Sequence, residues 1–371
     1  MNKKEILAYN FDASQKEGKL NKVYLPQTIE EVKKIVKKEK NLTLRGGGTG
    51  LVGGSVPQGD SILDLSKLNK ILELNKEKKT ILVEVGVILD ELQKYLDKYS
   101  LEFPLNPSSH SICTIGGMIA TNAVGTRAIK YGKTGDWVRW IEVVNFKGEL
   151  IRIPKTDLKD YVGMEGITGV IVRACLQLIE GKKRYVEIFY FDKYEDIIQK
   201  VKELKQRSNI SAIEFFDKKI SNFLGLGKVY SLIVEFEEEA KDKEKLKKSE
   251  EIYYVRDSLF PKLASEGYYL IEDPKIMLEK SLFLVEWLEK KEIPFYAHIS
   301  VGIFHPCFSK EKEHLISDMM SLVKKNFGQI TGEHGIGLLK KSFLDPNDKK
   351  LFESIKKRLD PLNKFNKNKI V

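Results

Sequence analysis

Two short segments in the C-terminal half carry residue types that could do chemistry. His298 and His305 lie seven residues apart, and His334 directly follows Glu333 in a glycine-rich run. Imidazole and carboxylate groups bind divalent cations and transfer protons. On one regular strand this odd spacing puts His298 and His305 on opposite faces, so their binding of one metal needs a bulge, which Gly302 could provide. Each histidine taken singly is explained equally well as a buried side chain with hydrogen bonds in the core.

A glycine-rich loop at residues 45–54 is a further feature that could hold a ligand. Gly48, Gly50 and Gly53 match the spacing of a dinucleotide-binding fingerprint, but the glycines and the proline directly after them exclude the helix that such a site requires. The loop also lacks the Gly-Lys-Ser or Gly-Lys-Thr end of a Walker loop. Two interpretations remain: a backbone whose successive N–H groups can approach a diphosphate, or a glycine-rich surface turn.

The elements around this loop are predicted from capping and periodicity. Thr28 and Glu31 form a capping box, and the apolar stripe behind them predicts a helix that runs to about Lys40. The apolar run at residues 42–44 predicts a strand that leads into the glycine loop. Near Gly181 the pattern changes to longer elements with few glycines, which predicts a domain boundary. Further elements are predicted at residues 61–65 (strand), 80–85 (strand) and 89–99 (helix).

Composition limits the class of protein. The chain has 371 residues, 42% of them hydrophobic and 31% charged, which is enough for two domains with ordinary cores. No apolar run approaches the ~18–20 residues of a membrane span, and the N-terminus lacks a signal-peptide core, which predicts a cytoplasmic protein. The net charge of +10 does not by itself indicate nucleic-acid binding, because the lysines are mixed with acidic residues. Three scattered cysteines predict free thiols.

Four sequence blocks, in order along the chain, resemble one known family. They are the glycine loop at residues 45–54 and the segments 107–123, 131–136 and 163–171. These blocks are similar to those of the FAD-linked oxidases with a vanillyl-alcohol-oxidase-type (PCMH) flavin domain. The branch they resemble contains glycolate oxidase flavin subunits, D-lactate dehydrogenases and D-2-hydroxyglutarate dehydrogenases.

The resemblance implies an α+β fold. It places a PCMH-type FAD-binding domain of two α/β subdomains at residues 1–181. A reduced α+β substrate (cap) domain with an antiparallel sheet occupies residues 182–345. Residues 346–371 are then a C-terminal tail that returns to the FAD domain. The chain is shorter than most relatives around residues 240–255, which predicts a trimmed substrate pocket.

The resemblance also implies FAD as the cofactor. Relatives that bind flavin covalently have a histidine in the glycine loop where this chain has Thr49, so we expect noncovalent FAD. Cys113 lies near the position of a flavin-linked cysteine in distant relatives, but a buried, inert thiol is the preferred interpretation. The residues assigned to the cofactor are Arg45, Gly46, Gly47, Gly48, Thr49, Gly50, Leu51, Pro107, Ser108, Thr114, Gly116, Gly117, Thr121, Glu165, Gly169 and Ile171.

In the C-terminal half, the resemblance gives roles to the histidine segments. In metal-dependent members of the branch the matching residues bind a divalent metal, usually zinc, so His298, His305 and Glu333 are expected ligands. His334 is the expected base, and Arg256 the expected partner of the substrate carboxylate. The sequence departs from the family at one point. The family's Gly-Asp-Gly-Asn is replaced by residues 300–303, Ser-Val-Gly-Ile, so two polar residues near the site have become apolar.

The implied function is the oxidation of a small D-2-hydroxy acid, glycolate or D-lactate, with hydride transfer to FAD. The absence of an NAD motif predicts another electron acceptor. Three cysteines are too few to hold an iron–sulfur cluster, so an iron–sulfur or other acceptor subunit is the expected partner, and peripheral membrane attachment through it is an alternative to a purely cytoplasmic location. Two further hypotheses remain. The chain could be an FAD-binding subunit with altered or no substrate chemistry, or a basic nucleic-acid-binding protein.

Overall fold

The structure, a computed structural model, describes residues 3–238 and 243–371. The chain forms two compact units, and neither is one continuous stretch of sequence. Within the described ranges no helix is both long and apolar enough to cross a lipid bilayer. Unit 1 comprises Met1–Ala123, Lys133–Gly181 and His334–Val371, and unit 2 comprises Val124–Gly132 and Lys182–Glu333.

These units differ in two places from the ranges expected from the sequence. The expected substrate domain ended at residue 345, whereas unit 2 ends at Glu333 and His334 opens the last part of unit 1. Residues 124–132, expected in the flavin domain, belong to unit 2. The second difference arises because the partly buried Arg127 forms an ion pair with the buried Glu235 of the unit 2 sheet.

Strands and helices are numbered in chain order. The strands are β1 (Val23–Tyr24), β2 (Leu42–Arg45), β3 (Ser61–Asp64), β4 (Ile71–Asn75), β5 (Thr80–Glu84), β6 (Leu101–Glu102), β7 (Val138–Val144), β8 (Leu150–Pro154), β9 (Val170–Gln177), β10 (Ile179–Glu180), β11 (Tyr185–Phe191), β12 (Ile210–Phe216), β13 (Tyr230–Phe236), β14 (Leu270–Ile271), β15 (Phe295–His298) and β16 (Ile303–Phe308). The helices are α1 (Lys3–Ala8), α2 (Ile29–Lys38), α3 (Leu89–Asp97), α4 (Ile115–Thr121), α5 (Ala128–Tyr131), α6 (Tyr194–Leu204), α7 (Lys218–Phe223), α8 (Lys243–Asp257), α9 (Leu259–Ser265), α10 (Leu282–Lys290), α11 (Leu315–Lys325) and α12 (Pro346–Leu359).

The first part of unit 1 is a small parallel sheet that carries the glycine loop. Its strand order is β1-β3-β2. Helix α2 begins where Thr28 accepts a hydrogen bond from the Glu31 N–H, and its buried stripe contains Val32 and Val36. The Glu31 carboxylate accepts from the Gln27 N–H, so the capping box closes one residue earlier than its usual form. Strand β2 then delivers the chain into the loop.

The second part of unit 1 is an antiparallel sheet with strand order β4-β5-β9-β7-β8. Helix α4 begins at Thr114, whose hydroxyl accepts from the Gly117 N–H at 3.2 Å. The helix lies against this sheet because Gly116 has no side chain: a Cβ there would approach the Val85 Cβ to 2.7 Å. Among its described residues, unit 1 thus combines a parallel sheet, this antiparallel sheet and the short antiparallel pair β6-β10, and the expected α+β fold is confirmed.

The residues after α12 add a further edge to the parallel sheet. Phe365, fully buried, forms a parallel bridge with Leu42, and the Asn366 side chain accepts from the Leu44 N–H at 2.8 Å. The buried ammonium of Lys369 donates to the Thr43 hydroxyl at 3.0 Å. The C-terminal residues thus fix strand β2, which leads directly into the glycine loop.

Unit 2 is built on a six-stranded antiparallel sheet with strand order β11-β13-β12-β15-β16-β14. One face is apolar: the rings of Phe215 and Phe295 lie 5.6 Å apart, and Tyr194 of α6 packs edge-on against Phe215. The strand register puts the alternate residues, among them Glu214 and His298, on the opposite face. The chemistry-bearing side chains of unit 2 therefore share one face of one sheet.

Candidate cofactor and metal sites

The glycine loop of unit 1 has the backbone geometry of an anion-binding loop. None of the backbone N–H groups of residues 46–51 donates a hydrogen bond to another described residue, although all six residues are partly buried. Gly48 has φ of +68°, a left-handed conformation that turns successive N–H groups toward one side. Unsatisfied donors in a concave backbone are suited to a diphosphate.

A cavity of about 320 Å³ opens on this loop. Four residues assigned to the cofactor line it: Arg45, Gly46, Gly47 and Thr114. The Arg45 guanidinium donates to the Phe11 carbonyl at 2.7 Å and lies over the Tyr9 ring, so it is held at the cavity wall. Gly48 lies beside this guanidinium, and its φ of +68° is a conformation that favours glycine.

Replacing Gly47 by Val is expected to abolish retention of FAD. A Cβ at position 47 would lie 2.3 Å from the Ile112 carbonyl oxygen, which is backbone and cannot rotate away. Purified variants should be compared by the flavin absorbance that remains with the protein. Gly54→Ala is the matched control, since its Cβ would make only an ordinary contact, at 3.7 Å from Glu165. Full FAD occupancy in Gly47→Val would show that this loop does not form part of the FAD site.

Other residues assigned to the cofactor have structural partners within unit 1. The Thr121 hydroxyl donates to the Gly117 carbonyl at 3.0 Å. Gly169 is required by packing, because a Cβ there would lie 2.6 Å from Val143. Ile171 is buried in β9, and Ser108 is exposed near the partly buried Pro107. These contacts explain Gly116, Thr121 and Gly169 without a ligand, so their assignment to FAD stays a prediction.

Glu165, also assigned to the cofactor, holds the segment after His334. It is buried, and its carboxylate accepts hydrogen bonds from the backbone N–H groups of Ile336 at 2.6 Å and Gly337 at 2.9 Å. Gly335 must be glycine beside it, since a Cβ there would lie 2.5 Å from the Glu165 carboxylate. Burial raises the pKa of Glu165 to about 7, against the lowering effect of the two N–H donors. Glu165 therefore positions the residues next to the expected base.

The raised pKa of Glu165 predicts a pH-dependent stability. The unfolded carboxyl titrates near 4.5, so between pH 4.5 and about 7 the folded chain binds more protons, and the contribution of Glu165 to the free energy of unfolding falls as the pH rises. The full effect is roughly 3 kcal/mol. Urea denaturation from pH 5 to pH 7 should show a flatter dependence for Glu165→Gln than for the wild type. The exposed Glu77→Gln is the control, and parallel curves for all three proteins would contradict this assignment.

In unit 2 the structure brings His298, His305 and Glu333 together. The expectation of a bulge in one strand is wrong: His298 ends β15, residues 299–301 form a 3₁₀ turn, and His305 lies on the returning strand β16. In the hairpin register Tyr296 pairs with His305 and His298 with Ile303, so both histidines point to the same face. Gly302 makes the reversal possible, with φ of +73° and a Cβ position only 2.1 Å from the Ile276 carbonyl oxygen.

The distances within this triad fit a small cation. Oε1 of Glu333 lies 3.2 Å from Nε2 of His305 and 3.6 Å from Nε2 of His298, and all three ligand atoms lie within 4.8 Å of one another. Two ligands ~2.1 Å from a tetrahedral zinc ion are roughly 3.4 Å apart. The two distances from Glu333 match this spacing, and the widest separation, within 4.8 Å, would have to shorten for all three groups to bind one ion.

Two groups that sequence reasoning did not select hold Glu333 in place. The Asp273 carboxylate, fully buried, accepts from the N–H groups of Gly332 at 2.9 Å and Glu333 at 2.7 Å. The Gly125 N–H donates to Oε2 of Glu333 at 3.2 Å, which leaves Oε1 facing the histidines. No local signal marks these partners, because both contacts join residues far apart in the sequence.

An aromatic and an aliphatic side chain lie beside the two histidines. The Tyr296 ring stacks on His305 with a centroid distance of 4.4 Å, and Ile303 is buried on the same face. Burial raises the pKa of Glu333, but the two histidines outweigh it and hold that pKa well below its usual range. Burial lowers the pKa of His298, but Glu333 and then Glu214 more than offset this, and the net shift is upward.

Arg256, the expected partner of the substrate carboxylate, is largely buried near this face. Its guanidinium donates to Asp257 at 2.8 Å, and its Nε lies 3.8 Å from the Glu214 carboxylate. Glu214 in turn lies 3.7 Å from Nδ1 of His298. His334, the expected base, directly follows Glu333 in the chain and is partly buried in unit 1.

Comparison with known proteins matches both halves of the chain. Residues 21–154 match the FAD binding domain, and residues 231–370 match the C-terminal domain of FAD linked oxidases. The chain is 29% identical to D-lactate dehydrogenase of Archaeoglobus fulgidus, over 94% of this chain and 91% of the relative. It is 27% identical to glycolate oxidase subunit GlcD of Bacillus subtilis, over 98% of this chain and 92% of the relative.

Two further comparisons extend this result. D-2-hydroxyglutarate dehydrogenase of Xanthomonas citri pv. viticola is 26% identical over 94% of this chain and 88% of the relative. A solved structure of alkyldihydroxyacetonephosphate synthase has a TM-score of 0.64 at 17% identity, over 92% of this chain and 74% of that one, and so shares the fold. The resemblance read from the four sequence blocks is confirmed. With both characteristic domains present in one chain, this protein belongs to the FAD-linked oxidases and is an FAD-dependent oxidoreductase.

Proposed function

We propose that this protein oxidises a small D-2-hydroxy acid, glycolate or D-lactate, to the 2-oxo acid and passes the electrons to an acceptor other than NAD. The proposal is carried by one observation: His298, His305 and Glu333 meet on one face of the unit 2 sheet in a chain that has an FAD binding domain. The relatives named D-lactate dehydrogenase and glycolate oxidase subunit support this substrate class.

The FAD is proposed to bind noncovalently to unit 1. The donors of residues 46–51 receive the diphosphate, and the glycine positions let the backbone approach it. Thr49 has no nucleophilic nitrogen that could form the covalent link found in some relatives. An FAD held there supplies the two-electron acceptor for the oxidation.

In unit 2 the proposed metal ligands are His298, His305 and Glu333. Their nitrogen and oxygen donors suit zinc, and a divalent ion held there supplies a Lewis acid for the substrate oxygens. Arg256 is assigned to the substrate carboxylate, because a guanidinium fork matches the two carboxylate oxygens. His334 would take the proton of the 2-hydroxyl group as the carbon that bears this group gives up its hydride, for which bound FAD would be the acceptor, so the product carbonyl would form without a charged intermediate.

The electron acceptor is proposed to be another protein or a quinone. The chain contains three cysteines, all free and dispersed over the two units, so it offers no set of four thiolates for a cluster. The relative from Bacillus subtilis is named as a subunit, which supports a partner chain. If no quinone serves, the proposed partner is an iron–sulfur subunit or another electron-acceptor protein.

One observation favours a second candidate function. Val301 and Ile303 stand where relatives of this branch have polar residues, and Ile303 is buried beside the triad against Gly332. An apolar residue at this place removes a hydrogen-bonding group from the substrate side of the triad. The chain would then be an FAD-binding subunit of a larger redox complex with altered substrate chemistry.

Anaerobic titration of the flavin spectrum distinguishes these functions. D-lactate, L-lactate, glycolate and D-2-hydroxyglutarate are added in turn to the FAD-loaded protein supplied with zinc. We expect glycolate or D-lactate to bleach the flavin band, and L-lactate to leave it unchanged. A flavin band that none of the acids bleaches would contradict the proposed oxidation and favour the subunit function.

A further inference from the structure

Glu214 is an acidic residue in the middle of an otherwise uncharged strand. Every residue of β12 is buried, and the pairing of Phe215 with Ala297 brings Glu214 beside His298. Its side chain is only 7% exposed. A buried carboxylate is costly unless it is paired or accepts hydrogen bonds. Within the described residues, however, the ion-pair contacts of this carboxylate are long: 3.7 Å to Nδ1 of His298 and 3.8 Å to Nε of Arg256.

The His298 atom that faces Glu214, Nδ1, also lacks a short polar contact. This atom is buried and has no hydrogen-bond partner among the residues described, while Nε2 of the same ring faces Glu333 at 3.6 Å. A histidine that binds a metal through one nitrogen generally donates from the other to a carboxylate or carbonyl, which fixes the ring and makes it a stronger ligand. The two nitrogens of His298 are directed in this way, one toward the triad and one toward Glu214.

A second glutamate on the same face shows what a purely structural carboxylate looks like in this sheet. Glu235 accepts two hydrogen bonds from Arg127, at 2.7 and 3.1 Å, and one each from Ser211 and Tyr253, both at 2.7 Å. Its charge is therefore fully compensated within the protein. Glu214 differs because its nearest groups are a proposed metal ligand and the proposed carboxylate-binding arginine.

We propose that Glu214 is the positioning residue of the metal site. It accepts the Nδ1–H of His298 when Nε2 is bound to the ion, and its other oxygen holds Arg256. The inference rests on the proposed function, since it requires the metal site. The inference adds that the Glu214 carboxylate holds both His298 and Arg256 in position. It thereby fixes the distance between the metal site and the guanidinium, and a substrate must match this distance with its 2-hydroxyl and carboxylate groups.

Zinc affinity of the FAD-loaded protein tests this inference without measuring turnover. Competition with a chromophoric chelator should show ~10–100-fold weaker zinc binding in Glu214→Ala, the usual effect of removing such a partner. Glu214→Gln should lose less, because its amide oxygen can still accept from Nδ1–H. Asp257→Asn is the matched control: it removes the negative charge of another partner of Arg256, and among the described residues Asp257 forms no ion pair with His298, so we expect unchanged zinc affinity. The visible spectrum of bound cobalt(II) should shift in Glu214→Ala and return toward the wild type in Glu214→Gln.

The outcomes separate this inference from the function on which it rests. If the wild type binds zinc and His305→Ala does not, but Glu214→Ala binds it like the wild type, the inference is overturned and the metal site stands. If the wild type binds no zinc at all, both are overturned. Should Glu214→Ala fail to fold, Glu214→Met replaces it, because methionine nearly keeps the size of the side chain but removes both carboxylate oxygens; zinc affinity and a cobalt spectrum equal to those of the wild type in that variant overturn the inference.

Discussion

Replacing His334 by Gln is expected to slow reduction of the flavin by substrate at least ~10²-fold, the usual effect of losing a general base. Glutamine keeps a polar side chain of similar length but cannot take up the hydroxyl proton. The measurement is the rate at which the flavin band bleaches after anaerobic mixing with the active hydroxy acid. FAD content and zinc content should both equal those of the wild type, because His334 is assigned to neither site.

His314→Gln is the matched control for this experiment. It makes the same chemical change at an exposed histidine next to α11, whose Nδ1 contacts the Glu311 carbonyl. We expect its flavin reduction rate to match the wild type. A normal rate of flavin reduction in His334→Gln would mean that another residue is the base. Loss of FAD in that variant would show that the segment held by Glu165 also supports the cofactor.

Replacing His305 by Ala is expected to weaken zinc binding by more than the ~100-fold that marks the loss of a supporting partner. One of three ligands is removed from a triad whose atoms lie within 4.8 Å of one another. Zinc content after dialysis, measured by elemental analysis, should fall while FAD stays bound. Substrate-dependent bleaching should fall with it, since the Lewis acid is lost.

Because His305 is fully buried, its truncation leaves a cavity that can destabilise the fold. Glu333→Gln avoids this problem, since it keeps the size of the side chain and an oxygen for the Gly125 N–H but removes the charge. We expect the same loss of zinc. His314→Ala is again the control away from the triad. Unchanged zinc stoichiometry in both triad variants would refute the ligand set.

Local structure was predictable wherever the deciding interactions are local. Helix α2 is encoded by Thr28, Glu31 and a stripe of apolar residues within one segment, and it ends two residues before the expected position at Lys40. The glycine loop was predictable as a loop that does not continue into a helix, because further glycines and a proline follow it directly; that it binds an anion stays a prediction. The turn at Gly302 was missed, since periodicity assumes that a regular strand continues and does not show where the chain reverses.

The supporting partners of the site could not be predicted in the same way. Gly125 and Asp273 reach Glu333 through contacts between distant parts of the chain, and nothing near them in the sequence indicates this. Glu165 gave a sequence signal, but the signal was for a cofactor contact, and its backbone partners lie far away at residues 336 and 337. Glu214 is different, because it is the one charged residue in a run of mostly apolar strand residues. A buried glutamate is uncommon unless it is paired, so this position could be recognised from the sequence.

The interleaving of the two units limits how this chain can be divided. A gene fragment for residues 182–333 would encode the whole unit 2 sheet but not residues 124–132, so Glu235 would lose the Arg127 guanidinium. Glu235 would keep Arg184 at 3.7 Å but lose two hydrogen bonds from a charged group, which typically contribute ~1.5–3 kcal/mol each. A fragment for residues 1–181 would lack the C-terminal residues that brace strand β2. Exchange of whole modules between relatives, by recombination or by design, must therefore carry the short inserted segment and the C-terminal piece along with their units.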